Sequence, residues 1–174
     1  VILSSGCAYQ LGGADRSLPG GYRQVTIPIF KNFTSEPGIE VYFTNALIQE
    51  IERSRVGKIV PPEQSEIRVE GIIENVTVDA GPGEERAALP MGADLASVYN
   101  IKLQVRVTLK RQADQSILWE GVFKGERGFQ AASVSPVGVN TVNPLYNLSR
   151  RRQNIESMAY ELMNDSFGRI TENF

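Results

Sequence analysis

The chain of 174 residues contains no histidine. It therefore lacks the side chain best matched to proton transfer near neutral pH, which is also the commonest metal ligand. It has one cysteine, Cys7. A single thiol forms no internal disulfide, and without imidazole beside it no zinc ligand set can be assembled. No apolar run reaches the roughly 18 residues that read as a membrane-spanning helix. Charge is also nearly balanced, with 18 Lys and Arg against 20 Asp and Glu and a formal net charge of -2. That balance argues against general affinity for nucleic acid, which needs clustered cations to displace counterions from phosphates. Any anionic ligand must be met by a local patch, and no cofactor is expected.

What is present reads as one globular domain: 41% hydrophobic and 22% charged residues, in a chain long enough for a proper core. Cys7 allows three readings: a buried apolar cysteine, a reactive nucleophile, or the acceptor of a lipid. Val1, Ile2 and Leu3 run through Ser4, Ser5 and Gly6 into Cys7. The run resembles the end of a bacterial lipoprotein signal peptide, where small residues precede the cut and the sulfur takes a diacylglycerol. The expected organisation is a residual signal peptide over 1–6, a lipidated tether over 7–21 and a single α/β domain over 22–174. The tether is rich in turn formers (Gly12, Gly13, Asp15, Ser17, Pro19, Gly20, Gly21). From Cys7 to Tyr22 it spans at most about 50 Å at ~3.3 Å per residue.

Period-two alternation marks the strands. The first covers Arg23 to Phe30, with Val25, Ile27 and Ile29 on one face and Pro28 interrupting the pairing on one side. Thr34 or Ser35 then caps a helix, and Pro37 suits its first turn. Ile39, Phe43, Ala46 or Leu47, and Ile51 give that helix one buried stripe through about Ser54. Arg55 to Gln64 is mostly loop. Ile67, Val69, Gly71 and Ile73 form a second strand that continues irregularly through Val76 and Val78, with Gly71 as a candidate bulge. The long excursion Asp79 to Ala96 is of the length that is usually functional or disordered. Ile101, Leu103, Val105, Val107 and Leu109 alternate with polar residues in the clearest strand, and Ile117 to Phe129 returns antiparallel to it. A last helix begins near Asn147 or Ser149 and buries Ile155, Met158 or Ala159, Leu162, Ser166 or Phe167, and Ile170. The expected fold class is α+β: a two-layer sandwich with a four-stranded mixed sheet, both helices on one face, in the order β-α-β-β-β-α.

Few residues suggest chemistry. The pairs Glu84–Glu85 and Glu50–Glu52 read as solvated surface, and Gly81-Pro82-Gly83 lacks the spacing of a phosphate loop. Three sequons, at Asn32, Asn75 and Asn147, read as turn or cap chemistry. Arg150, Arg151 and Arg152 open the last helix, where cations oppose the macrodipole. Lys102 and Arg106 lie on the polar side of the clearest strand and Lys110 and Arg111 end it. As a strand-borne cluster these four are the candidate contacts for a phosphate-bearing ligand, against the plainer reading of cations on a wet strand.

Cys7-Ala8-Tyr9-Gln10-Leu11, Ser17-Leu18-Pro19, the run Val25 to Thr34, Pro37-Gly38-Ile39-Glu40 and the helix Phe43 to Ile48 resemble the LptE family of lipopolysaccharide-assembly lipoproteins. The resemblance implies a lipid-anchored protein on the periplasmic side of the outer membrane. Such a protein sits in the lumen of the large β-barrel LptD, assists its assembly and binds lipopolysaccharide. That role needs no catalytic group. Lipid A phosphates call for Lys or Arg, and Lys102, Arg106, Lys110 and Arg111 are assigned to them by strand geometry, not by a family motif. The strand-turn-helix from Val25 to Leu47 also looks like lipoproteins with a TolB-amino-terminal-like domain that activate peptidoglycan synthases. A periplasmic enzyme working through carboxylates or tyrosines is the third reading.

Overall fold

The computed structural model describes residues 17–80, 83–84, 95–96, 98–130 and 144–172. Cys7 and its flanks, most of the excursion after Asp79 and the connection 131–143 lie outside the described residues. The elements are β1 (Gln24–Thr26), β2 (Lys31–Asn32), α1 (Ile39–Ser54), β3 (Lys58–Ile59), β4 (Ile67–Ala80), β5 (Gly83–Glu84), β6 (Leu95–Ala96), β7 (Val98–Arg111), β8 (Ile117–Gln130) and α2 (Pro144–Glu172). The main sheet runs β3-β1-β4-β7-β8, with β2 also beside β4, while β5 and β6 pair separately. β1 lies parallel between β3 and β4, and β4, β7 and β8 form an antiparallel meander. The class is the expected α+β sandwich with two helices, but the sheet has more strands than four. The additional strands are two residues long, too short to leave a periodic signal. Lys58 and Val60 donate to the carbonyls of Arg23 and Val25, which draws the expected loop 55–64 onto the sheet.

The helix-covered face carries the core. Phe43, Leu47 and Ile51 of α1 and Ile155, Met163 and Ile170 of α2 are at most 2% exposed, as are Ile67, Val69, Ile101, Val105, Val107 and Leu109 beneath them. Fully burying such a side chain contributes about 1.5–3 kcal/mol, so these stripes dominate folding. α1 starts later than its sequence suggests. Asn32 and Thr34 close a turn instead: Thr34 donates through both N and Oγ1 to Asn32 Oδ1, and Asn32 Nδ2 donates to Glu36 O and Glu40 Oε2. Gly38 enters the helix at φ 86, a left-handed conformation that favours glycine. Arg151, on the first half of α2, pairs with the largely buried Glu36 of this turn, joining the two helical elements.

The first strand is where the alternation breaks. Thr26 pairs with Arg68 but Lys31 pairs with Ile72, so the link through Pro28 holds one residue more than β4 opposite it. The extra residue reverses the phase. Ile29 turns outward at 68% exposure and Phe30 turns inward at 3%, contrary to the expected Val25-Ile27-Ile29 face. Phe30 stacks near Phe43, ring centroids 6.4 Å apart, and donates its backbone N–H to Thr44 Oγ1. Gly71 is what admits it: a Cβ there would overlap the Phe30 ring. The bulge in β4 therefore sits elsewhere, at Glu74, where the register with β7 shifts between Ile73 and Asn75. A second shift, between Leu109 and Lys110 of β7, leaves Leu118 of β8 unpaired.

Candidate functional site on the open face of the sheet

The other face of the meander carries no helix, and its polar residues pair across strands. β7 contributes Asn100, Lys102, Gln104, Arg106, Thr108 and Lys110. β4 sets Arg68, Glu70, Ile72 and Glu74 beside them, and β8 adds Glu120, Val122, Lys124 and Glu126. Lys102, Arg106 and Lys110 are thus brought onto one face as the sequence suggests. Arg111 is not. Adjacent strand residues point to opposite faces, and Arg111 donates to the Tyr22 hydroxyl at 3.0 Å and bridges to Asp114 at 3.1 Å. The Tyr22 hydrogen bond is the main reason its guanidinium holds its proton more tightly than usual. In this position it helps fasten the N-terminal segment, together with Glu66, whose Oε2 accepts the backbone N–H groups of Arg23 and Gln24. Leu18, in the stretch read as tether, is 1% exposed.

The cations differ in their surroundings. At the end nearest the β7–β8 turn, Lys110 Nζ lies 2.7 Å from Glu70 Oε2 and Arg68 Nη1 3.5 Å from Oε1. The hydrogen bond from Lys110 is the chief cause that lowers the Glu70 pKa, with Arg68 and Lys31 adding to it through space. Two cations therefore share one carboxylate, with Lys31 acting on it through space, and Arg68 Nε is buried without a hydrogen-bond partner. In the middle the balance inverts. Arg106 bridges Glu74 at 2.7 Å and Glu120 at 2.8 Å, so two carboxylates share one guanidinium and raise its pKa, Glu74 first. Gln104 also donates to Glu74, the largest cause holding that carboxyl below its usual range. The bulge at Glu74 is what lets it reach both partners. Toward the far end, Lys102 pairs with Asp79 at 3.1 Å. A depression of about 340 Å³ there is bordered by Lys102, Gln104, Lys124 and Glu126.

Sequence reading overlooked Arg68, Glu70 and Lys31. Their signal was the polar alternation of β4, which becomes a cluster only once the register sets Arg68 beside Lys110. Among the described residues no three His, Cys, Asp or Glu side chains gather as a metal site. No described helix is long and apolar enough to cross a membrane. Asn32 of the first sequon is committed to its turn, where its side chain makes the hydrogen bonds given above.

The fold is similar to that of PelC from Paraburkholderia phytofirmans, a dodecamer, at 11% identity and TM-score 0.51, covering 91% of this chain and 95% of that one. It is also similar to protein XCC0632 from Xanthomonas campestris at 9% identity and TM-score 0.51, covering 96% and 91%. Rare lipoprotein B from Shewanella oneidensis is similar over 85% of this chain and 90% of its own, at 11% identity and TM-score 0.46. Identities this low bear on the fold alone. Among curated proteins the chain has no significant sequence match. The LptE family model, described as lipopolysaccharide-assembly, matches residues 22–170, from the Tyr22 clasp to the end of the α2 stripe, and the chain belongs to that family.

Proposed function

We infer that the protein is an outer-membrane lipoprotein that plugs an LptD-type β-barrel and contacts lipopolysaccharide on its way to the outer leaflet, without catalysing a reaction. The observation that carries this reading, beside family membership, is the open sheet face. It is polar, its charges are largely answered from within, and it suits a water-filled lumen better than an apolar interface. Cys7 would carry the acyl chains, since one chain alone anchors only marginally. From Cys7 to Ser17 the chain reaches at most about 33 Å at ~3.3 Å per residue. Because Tyr22 is fastened to Arg111, the end bearing the β7–β8 turn would lie nearest the membrane.

For lipid A phosphates the reading favours Lys110 with Arg68 and Lys31, where cations outnumber the single carboxylate Glu70. Lys102 and Arg106 would contribute less, each already held by carboxylates. Arg111 would act indirectly, through the N-terminal clasp. Two measurements test this. Affinity purification of the lipidated protein from solubilised outer membranes should recover a large β-barrel in about equal amount; a peptidoglycan synthase in its place would overturn the barrel assignment. Lys110→Glu with Arg68→Glu should weaken lipopolysaccharide binding at least about tenfold while the barrel still co-purifies, and unchanged binding would remove this cluster from the site.

A further inference from the structure

β8 is the last strand of the sheet, and among the described residues nothing pairs with its outer edge. The edge is fourteen residues long, and after the irregularity at Leu118 it runs regularly from Trp119 to Gln130. Proteins usually blunt such edges with prolines, bulges or inward charges; from Glu120 to Gln130 β8 has none of the first two. Its exposed charges are few and ordered, with Glu120, Lys124 and Glu126 on the open face; the one inward charge, Arg127, is half-buried and bridges Glu161 of α2 at 2.5 Å. Lys124 makes no ion pair among the described residues. Glu126 accepts one hydrogen bond, from Asn100 at 2.8 Å.

We propose that this edge pairs with a second copy of the chain, antiparallel and two-fold symmetric, with Gly125 on the axis. The register follows from charge. With Gly125 opposite its own copy, each Lys124 faces the other copy's Glu126, so two attractive cross-strand pairs form and no like charges meet. Glu120 then faces Gln130, and Arg127 faces Phe123. Moving the axis to Lys124 sets lysine against lysine, and moving it to Glu126 sets glutamate against glutamate. Moving it to Phe123 brings Glu120 against Glu126 twice. An axis at Val122 would also match Lys124 with Glu120, but its regular pairing stops at Trp119 and Gly125, whereas the Gly125 axis pairs the longer stretch from Glu120 to Gln130. Like charges directly opposite are destabilising in a sheet and opposite charges stabilising, so charge together with the length of regular strand selects the Gly125 register. The two α2 helices, which pack over β8 through Met158 and Leu162 against Gly125, would then lie side by side on the same face of a continuous sheet. This pairing concerns the protein free of any barrel and does not depend on the functional reading above.

The test is sedimentation of the purified full chain over a concentration series, with charge reversals. Wild type should show a monomer–dimer equilibrium. Lys124→Glu alone, and Glu126→Lys alone, should each weaken dimerisation about tenfold or more, because each turns two attractions into two repulsions. The double variant K124E/E126K should recover the wild-type dimer, and a native circular dichroism spectrum of each single variant shows that its weaker dimer is not a loss of fold. A monomer at every concentration, or single reversals that dimerise as well as wild type, would overturn the proposal. So would a double variant that stays monomeric with a native circular dichroism spectrum.

Discussion

The two faces of β4, β7 and β8 are built from alternate residues of the same strands and obey opposite rules. On the helix side the central positions are apolar and closed, with charge only toward the strand ends at Arg111 and Arg127, and a single added carbon at Gly71 has nowhere to go. On the open side most positions are polar or charged, and the exposed ion pairs can be exchanged at little cost, contributing about 0–1 kcal/mol each. Stability therefore resides mainly on one face, and the other is freer to vary. The open face itself divides again, into the cation-rich surroundings of Glu70 and the carboxylate-rich surroundings of Arg106, where the positive charge is already held.

The sharpest way to break the contrast is at Phe30. Phe30→Ala should lower stability by about 3–5 kcal/mol, read from the denaturant midpoint, whereas no single replacement on the open face should approach that. Gly71→Ala should cost about 1–3 kcal/mol by overpacking and become nearly neutral in the Phe30→Ala background, since the added methyl then enters the space the ring has left. Strict additivity of the two would mean that the ring does not lean on Gly71. A smaller effect is expected where the faces give way to the helix ends. Arg151→Ala leaves Glu36 buried without its cation and should cost about 1–3 kcal/mol, while Arg152→Ala, one residue on and exposed, should be neutral within error.

The smallest effect belongs to the open face and is visible through pH. Glu70 and Glu74 have pKa values lowered below their ordinary 4.5. Each thus binds its proton less readily folded than unfolded, so the stability it adds is fully present above pH 4.5 and fades as pH falls through the lowered folded value. Replacing both by Gln should flatten the acid side of the stability profile and leave neutral-pH stability within about 1 kcal/mol. An unchanged acid limb would show that the ladder contributes nothing.

Much of this was legible because it is local. The alternation from Ile101 to Leu109 specifies β7, and Ile155 to Ile170 specifies the buried stripe of α2, since both periods are fixed by backbone geometry alone. The same rule already separates Lys110 from Arg111, and applied strictly it would have taken Arg111 out of the cluster. What stayed hidden depends on distant neighbours: Glu70 answers Lys110 from 40 residues away, and Phe30 turns inward because Gly71 opens a place for it. β3 was hidden for a different reason, because two residues cannot display a period.

Three places in the sheet carry one residue more than the strand opposite: the link through Pro28, the bulge at Glu74 and the step at Leu118. In terms of inheritance these are the sheet's spare letters. Deleting one elsewhere in a long strand would move every following side chain to the wrong face, whereas removing Pro28 leaves Val25 and Phe30 four positions apart and still in step. Length variation among descendants of this chain should therefore accumulate at these three points as well as in its loops, and the meander between them should keep its count.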